Sequence, residues 1–357
     1  MNILIYIGVD EVLIVWILLV FFILIIKVLM GDLISKEKQK NFLVISGIAI
    51  TLIMGLRYPK YNTVYDLELY YRYYYRLIYT PWTDIFLISR FEPGYVILNK
   101  ILATIIPWPQ FILIFEAAFC VFCVCRFIYK NSDYPFQSII FYITLGTMAF
   151  QLTGFRQAFA MSICLLSIEF IKEKKLFKFL LTVFLATTFH KTSIVFFPFY
   201  FIANRVPNWK NNLFSIIAMI FFANFARIIT DIGNVIFDMD YGGYIGNKYG
   251  GLVPILIYTI TIILSFIYSN KIKNKGSLNM LVIGLTIYLM RYTTLALERI
   301  SFFYTSAVIV QLPNAINVEK DEKIKYLLNI LSIVLSIILF VYRLTKEPYG
   351  AYSFFWQ

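Results

Sequence analysis

The sequence predicts an all-α bundle of membrane-spanning helices, and three observations lead there. Hydrophobic side chains make up 60% of the 357 residues, and mean hydropathy is +0.76. Apolar runs of roughly 17 to 25 residues, each long enough to cross about 30 Å of hydrocarbon as a helix, recur from Val12 to the C-terminus. A chain this apolar has no water-soluble solution, and 1–357 is expected to form a single integral membrane domain.

Taken in order, the expected spans fall near 12–30, 41–56, 111–129, 135–153, 157–171, 176–190, 193–203, 213–230, 252–269, 278–296, 299–316 and 326–343, about 12 in all. The first run has no basic flank before it and no small-residue cleavage site, and Lys36, Lys38 and Lys40 follow it. It is expected to be a retained helix rather than a cleaved signal. The segment 92–106 is apolar but interrupted by Glu92, Pro93, Gly94, Asn99 and Lys100. A re-entrant or interfacial path accommodates such residues better than a full crossing.

That choice sets the expected topology. Loops holding Lys36/Lys38/Lys40, Arg126/Lys130, Lys172/Lys174/Lys175/Lys178, Arg205/Lys210, Lys271/Lys273/Lys275 and Lys320/Lys323/Lys325 then share one side, which the positive-inside rule makes cytoplasmic. The net charge of +12 is thereby assigned to short lysine clusters between apolar runs, and nucleic acid is not an expected partner. Cys120, Cys123, Cys125 and Cys164 lie in apolar helical runs without neighbouring His or Asp, so they read as small core-filling residues and no metal site is expected.

The other side carries mostly arginine: Arg57, Arg72, Arg76, Arg90, Arg156, Arg227, Arg291, Arg299 and Arg343. Lysine suffices as a topology signal. A planar guanidinium grips phosphate or carboxylate through two parallel N–H bonds and stays charged when partly desolvated. The bias points to an anionic ligand at the outer face. The longest outer segment, 57–110, interleaves Arg and Asp with tyrosines. Tyrosines at a membrane boundary form interfacial belts, but their rings also stack on sugar faces. Tyr70, one helical turn after Asp66, stands out among them.

Gly154-Phe155-Arg156-Gln157 separates two spans, which puts Arg156 at the positive dipole end of a helix, where an anion is already favoured. A headgroup-seeking arginine is the other reading of it. His190, the protein's one histidine, ends an apolar span in Phe189-His190-Lys191-Thr192-Ser193. It reads as a general base, a donor to phosphate, or an interfacial polar residue. Arg291, Glu298 and Arg299 adjoin at the outer ends of two spans, with 291, 295, 298 and 299 on one face if the helix continues; Glu298 can also simply neutralise an arginine. Asp66 and Glu92 are the acidic candidates for taking a proton from a sugar hydroxyl. A glycine-rich nucleotide loop, a P-loop and a Gly-x-Ser-x-Gly elbow are all missing. No cofactor is expected, and an activated substrate drawn from the lipid phase is.

Gly55-Leu56-Arg57-Tyr58 with Asp66 and Tyr70, Phe91-Glu92-Pro93-Gly94-Tyr95, Gly154-Phe155-Arg156-Gln157, Phe189-His190-Lys191-Thr192-Ser193 and Arg299-Ile300-Ser301-Phe302-Phe303-Tyr304 occur in this order. Together they resemble the EpsG family of bacterial exopolysaccharide polymerases, related in role to the Wzy-type polymerases of O-antigen and capsule. The resemblance covers roughly 50 to 310. It departs from the family where Pro59 to Tyr65 replaces a compact Gly-Thr-Asp stretch before Asp66.

The resemblance implies a GT-C-like glycosyltransferase of the bacterial cytoplasmic membrane that joins oligosaccharide repeats carried on undecaprenyl pyrophosphate at the outer face. Donor and acceptor would both be lipid-linked, with membrane lipids and other polysaccharide export proteins as further partners. It implies Arg57, Arg156, Lys191, Arg299 and Arg291 as pyrophosphate ligands, and His190, Asp66 or Glu92 as the catalytic base. Gln157, Tyr70, Tyr58 and Ser193 would contact substrate. An O-antigen-ligase-like transferase and a flippase of lipid-linked sugars are the rival readings; the second would call for inverted repeats and midplane polar residues, and neither is evident.

Overall fold

The computed structural model describes residues 11–59, 65–205, 232, 251–268, 275–292, 295–345 and 352–356. Among these no β-strand forms, and the chain is an all-helical membrane bundle. Its helices are α1 (Glu11–Met30), α2 (Lys36–Gly55), α3 (Tyr65–Tyr79), α4 (Pro93–Ile105), α5 (Gln110–Asn131), α6 (Pro135–Thr144), α7 (Thr147–Thr153) and α8 (Phe155–Lys172). There follow α9 (Leu176–Thr187), α10 (Phe199–Ala203), α11 (Leu252–Ile267), α12 (Lys275–Leu289), α13 (Leu295–Thr305), α14 (Val308–Ile316) and α15 (Glu322–Leu344).

Among the described helices, α5 and α15 are each long and apolar enough to cross a bilayer alone, and α6 with α7 qualifies as a pair bent by 47°. Several shorter apolar helices accompany them. Start signals are local: Ser35 accepts from the Lys38 amide at 3.2 Å, and Asp321 accepts from Lys323 and Ile324 at 2.8 and 3.2 Å. Each satisfies amide donors that a helix start leaves open.

Several expected spans are interrupted. The run at 135–153 breaks at Gly146, whose φ of +100° a side-chain-bearing residue rarely adopts. The run at 176–190 ends as a helix at Thr187, and 193–203 becomes a short 3-10 turn, Lys191–Phe196, followed by α10. The run at 299–316 begins earlier, at Leu295, and divides between α13 and α14. Arg291 sits in a separate 3-10 turn, Met290–Tyr292, so 291 and 295–299 do not share one continuous helix face. The span expected at 213–230, Arg227, Lys210, Lys271 and Lys273 lie outside the described residues.

Polar contacts divide the bundle into two ends. At one, Lys36 faces Asp133 at 3.5 Å, Arg126 grips Glu169 with two bonds, Lys172 donates to the Lys130 carbonyl at 3.0 Å, and Asn314 donates to the Asn131 carbonyl at 2.8 Å. At the other, Gln110 donates to the Arg57 carbonyl at 2.9 Å, Gln157 to the Arg299 carbonyl at 2.8 Å, and Arg291 meets Glu298 at 2.9 Å. The two ends are termed the lysine end and the arginine end.

Residues 65–105 form a helical hairpin on the arginine end. The buried Lys100 donates to the carbonyls of Leu77 and Thr80 at 2.9 and 2.7 Å, neutralising the carbonyl end of α3. Tyr74 ties that helix to the Ile106 carbonyl at 2.9 Å. With 13 residues, α4 is about 20 Å long, short of the roughly 30 Å of hydrocarbon.

Candidate active site

Three connections converge at the arginine end: the turn into α4, the break between α7 and α8, and the turn after α9. Pro93 occupies the first helical turn of α4, and Glu92 is its N-cap in extended conformation. The Glu92 side chain leaves its own helix uncapped and turns into the protein, where it is 3% exposed. Backbone contacts hold it there: the Gly94 amide donates to the Thr188 carbonyl at 2.9 Å. A Cβ at Gly94 would lie 2.2 Å from Thr188 Oγ1 and 2.9 Å from the Thr188 carbonyl oxygen, so only glycine permits this approach.

Arg156 enters from the first turn of α8, where the helix dipole is unfavourable to a cation, and Glu92 supplies the compensating charge. The guanidinium donates to Glu92 Oε2 and, through Nε, to the Tyr70 hydroxyl at 3.2 Å. It also lies 4.4 Å from the centre of the Phe91 ring, a cation–π contact that holds its plane. Tyr70 in turn stacks on Phe155 at 4.8 Å, with ring planes 15° apart. Arg156 is therefore fixed on one side by a carboxylate and on two others by aromatic rings.

His190 adds the third corner. It lies in the extended turn between α9 and the 3-10 segment, and Nδ1 stands 3.3 Å from Glu92 Oε1, a charge contact without hydrogen-bond alignment. The same Oε1 accepts from the Lys191 amide at 3.2 Å. Ser193 fixes the turn locally, its hydroxyl donating to the His190 carbonyl at 2.8 Å. Burial raises the Glu92 carboxyl, but His190 and Arg156 outweigh it and bring the group down to about 2. Burial lowers His190 below its usual value, against the opposing pull of Glu92. At neutral pH the site thus holds an ionised carboxylate and an uncharged imidazole.

The remaining candidates divide. Gln157 and Arg299 join this neighbourhood through the Gln157-to-Arg299 carbonyl bond, and the Arg299 charge acts on His190. Arg291 is engaged by Glu298 and lies 5.3 Å from the Tyr288 ring centre. Asp66 falls in the first turn of α3, and its side chain is outside the described residues. Tyr58 is exposed, and its amide donates to the Ser353 carbonyl at 2.7 Å.

Arg57, by contrast, is buried. It is 8% exposed and shares a small internal cavity with Glu116, Gln151, Cys120 and Phe155. The C-terminal segment folds over it, with an antiparallel bridge between Arg57 and Phe354. Burial pulls its pKa down to about 10, with Glu116 opposing, so it stays charged at neutral pH. Glu116, absent from the expected site, is 4% exposed. As a lone carboxylate within the apolar run of α5, it carried a signal of its own. Phe91, Phe155 and Thr188 also shape the site, and as ordinary apolar or hydroxyl residues they were not separable from packing.

The model of the EpsG family matches residues 40–356. No curated protein and no solved structure matches the chain.

Proposed function

The chain belongs to the EpsG family, and its role is of the polysaccharide polymerase type, with glycosyltransferase-like activity in polysaccharide biosynthesis; from that premise we propose that it joins undecaprenyl-pyrophosphate-linked oligosaccharide repeats at the outer face of the bacterial cytoplasmic membrane. In this reading the arginine end faces outward, the lysine end faces the cytoplasm, and about 12 spans form a GT-C-like membrane scaffold. The observation that carries the proposal is the convergence of Arg156, Glu92 and His190 from three separate connections onto one carboxylate.

In His190, Nδ1 is the ring nitrogen nearer Glu92; in this reading it carries the proton and Nε2 is the base. It takes the proton from the acceptor hydroxyl as that oxygen attacks the anomeric carbon of the donor sugar. The bond from that carbon to the lipid pyrophosphate breaks, and its electron pair departs with the pyrophosphate. Glu92 stabilises the imidazolium that forms and keeps the ring in place, a positioning role rather than that of the base itself. Arg156, with donors beyond its contacts to Glu92 and Tyr70, neutralises charge growing on the leaving group together with Arg299 and Lys191. The sugar–pyrophosphate bond supplies the driving force.

Purified protein in proteoliposomes, supplied with undecaprenyl-pyrophosphate-linked repeats alone, tests this. A ladder of longer lipid-linked glycans with one carrier released per new bond is expected. Transfer only to a different acceptor would favour a ligase, and movement of intact repeats across the bilayer without bond formation would favour a flippase.

A further inference from the structure

At the lysine end, remote from the arginine site, a cavity of about 670 Å³ opens among the helix ends. That volume is in the range that holds a small-molecule ligand. Lys36 from the start of α2, Lys130 from the end of α5, Lys172 from the end of α8 and Lys275 from the start of α12 all line it. Asp133 is the one carboxylate among the lining residues, and it already faces Lys36. Tyr134, Asn131, Ser132 and Asn204 add polar groups to the wall.

Positive-inside lysines need only lie in loops on one side of the membrane, with no requirement to share a cavity. Here four exposed lysines from four elements rim one concavity, opposed by Asp133 facing Lys36 and by the Glu169 charge acting on Lys172. Like charges held this way repel, and the arrangement is relieved by a ligand carrying more than one negative charge. Lysine, a compact point charge with three donors, suits phosphate at such a place. We propose that this cavity is a second anion site, built to take a phosphate-bearing ligand at the end of the bundle opposite the arginine site. The phosphate can belong to a soluble molecule or to the headgroup of an anionic lipid, and the chemistry of recognition is the same. Such a site would let the supply of a phosphate compound on one face bias a protein whose candidate chemistry lies on the other.

The experiment uses full-length protein, wild type and two variants: Lys130→Gln/Lys172→Gln/Lys275→Gln, and Lys275→Glu alone. The single variant leaves the Lys172-to-Lys130 carbonyl contact intact, so it stays informative if the triple variant folds poorly. Thermal unfolding in detergent with and without inorganic pyrophosphate reads the soluble source. Native mass spectrometry of protein released from nanodiscs of phosphatidylglycerol or phosphatidylcholine reads the lipid source. A pyrophosphate-dependent rise in melting temperature, with affinity weakened on the order of tenfold or more in the variants, supports the site and assigns it to a soluble phosphate. Retention of phosphatidylglycerol over phosphatidylcholine in wild type, lost in the variants, supports it and assigns a headgroup. Variants that match wild type in both assays, or a wild type that binds neither probe, overturn it. The arginine site can also take pyrophosphate in the polymerase reading, so the signal assigned to the lysine cavity is only the part lost in the lysine variants, which alter no residue of the arginine site.

Discussion

His190 presents Nδ1 to Glu92 Oε1 at 3.3 Å, and the second oxygen of the same carboxylate holds the Arg156 guanidinium. One buried acid therefore adjoins the candidate base and holds the candidate anion clamp. The consequences of removing it differ from those of removing either partner.

Glu92→Gln keeps the side chain's shape but removes the charge that both partners need. Polymer formation is expected to fall by roughly 10²- to 10³-fold, with protein still present in the membrane. Glu92→Ala is expected to destabilise as well, by about 3–5 kcal/mol, because the largely buried Arg156 loses its counter-charge. Quantified membrane-fraction protein beside glycan yield separates the two effects.

The pH dependence should follow His190. Its pKa lies below the ordinary 6.5 because burial disfavours the charged ring, so the uncharged base is present at neutral pH. Activity is expected to be flat near pH 7 and to fall as pH drops through that lowered value. Glu92 pulls the His190 pKa upward, so residual activity in Glu92→Gln should lose its acid limb at a still lower pH. Glu92 itself protonates only near pH 2 and does not contribute to that limb. Rates in proteoliposomes between pH 4.5 and 8, set at these values as roughly spanning the ordinary carboxylate and histidine ranges, check the direction.

Arg156→Lys keeps the charge but loses the fork that reaches Glu92 and Tyr70 at once, and the flat face above Phe91. Most polymerisation is expected to disappear while the protein accumulates normally. Full activity in this variant would remove the guanidinium from the chemistry.

Gly94→Ala should act through the backbone. The added methyl would collide with Thr188 side-chain and carbonyl atoms at 2.2 to 2.9 Å, and trimming Thr188 leaves the carbonyl clash. A cost of about 1–3 kcal/mol is expected, together with lost activity as Glu92 moves away from His190. Thermal unfolding of purified variants measures it.

Arg57→Ala is expected to behave differently from Arg156→Ala. Arg57 is buried beneath the C-terminal segment, in a wall it shares with Glu116, so its loss opens a void under that segment. Reduced accumulation, by about 1–3 kcal/mol of lost stability, should precede any specific loss of activity. Normal stability with abolished polymerisation would instead support Arg57 as a pyrophosphate ligand.

Much of this was legible in the sequence because the bilayer imposes long apolar helices, and the positions of α5 and α15 follow directly from hydropathy. The breaks were harder to read, since a hydropathy window averages across Gly146 and across the α13–α14 junction. At the site, Arg156, Glu92 and His190 stood out as polar residues at helix boundaries, and Tyr70 by its place one turn after Asp66. Their mutual contacts could not be read, because they come from three separate connections and from α3, and the tertiary fold alone brings them together. Arg57 shares the same boundary signature, yet pairing of Tyr58 with Ser353 and of Phe355 with Leu56 draws the distant C-terminus over it. Local pattern carries no trace of such long-range pairing. Glu116 was readable as a lone acid in an apolar run and marks where burial, rather than exposure at a boundary, sets a residue's role.

The decisive measurement is the size and sidedness of lipid-linked glycan in cells expressing wild type, His190→Ala or Arg156→Ala. Long chains with wild type, and single repeats left at the outer face with both variants, are the expected result. Single repeats trapped on the cytoplasmic face, or unchanged chain lengths in variants that accumulate normally, would contradict a polymerase working through His190 and Arg156.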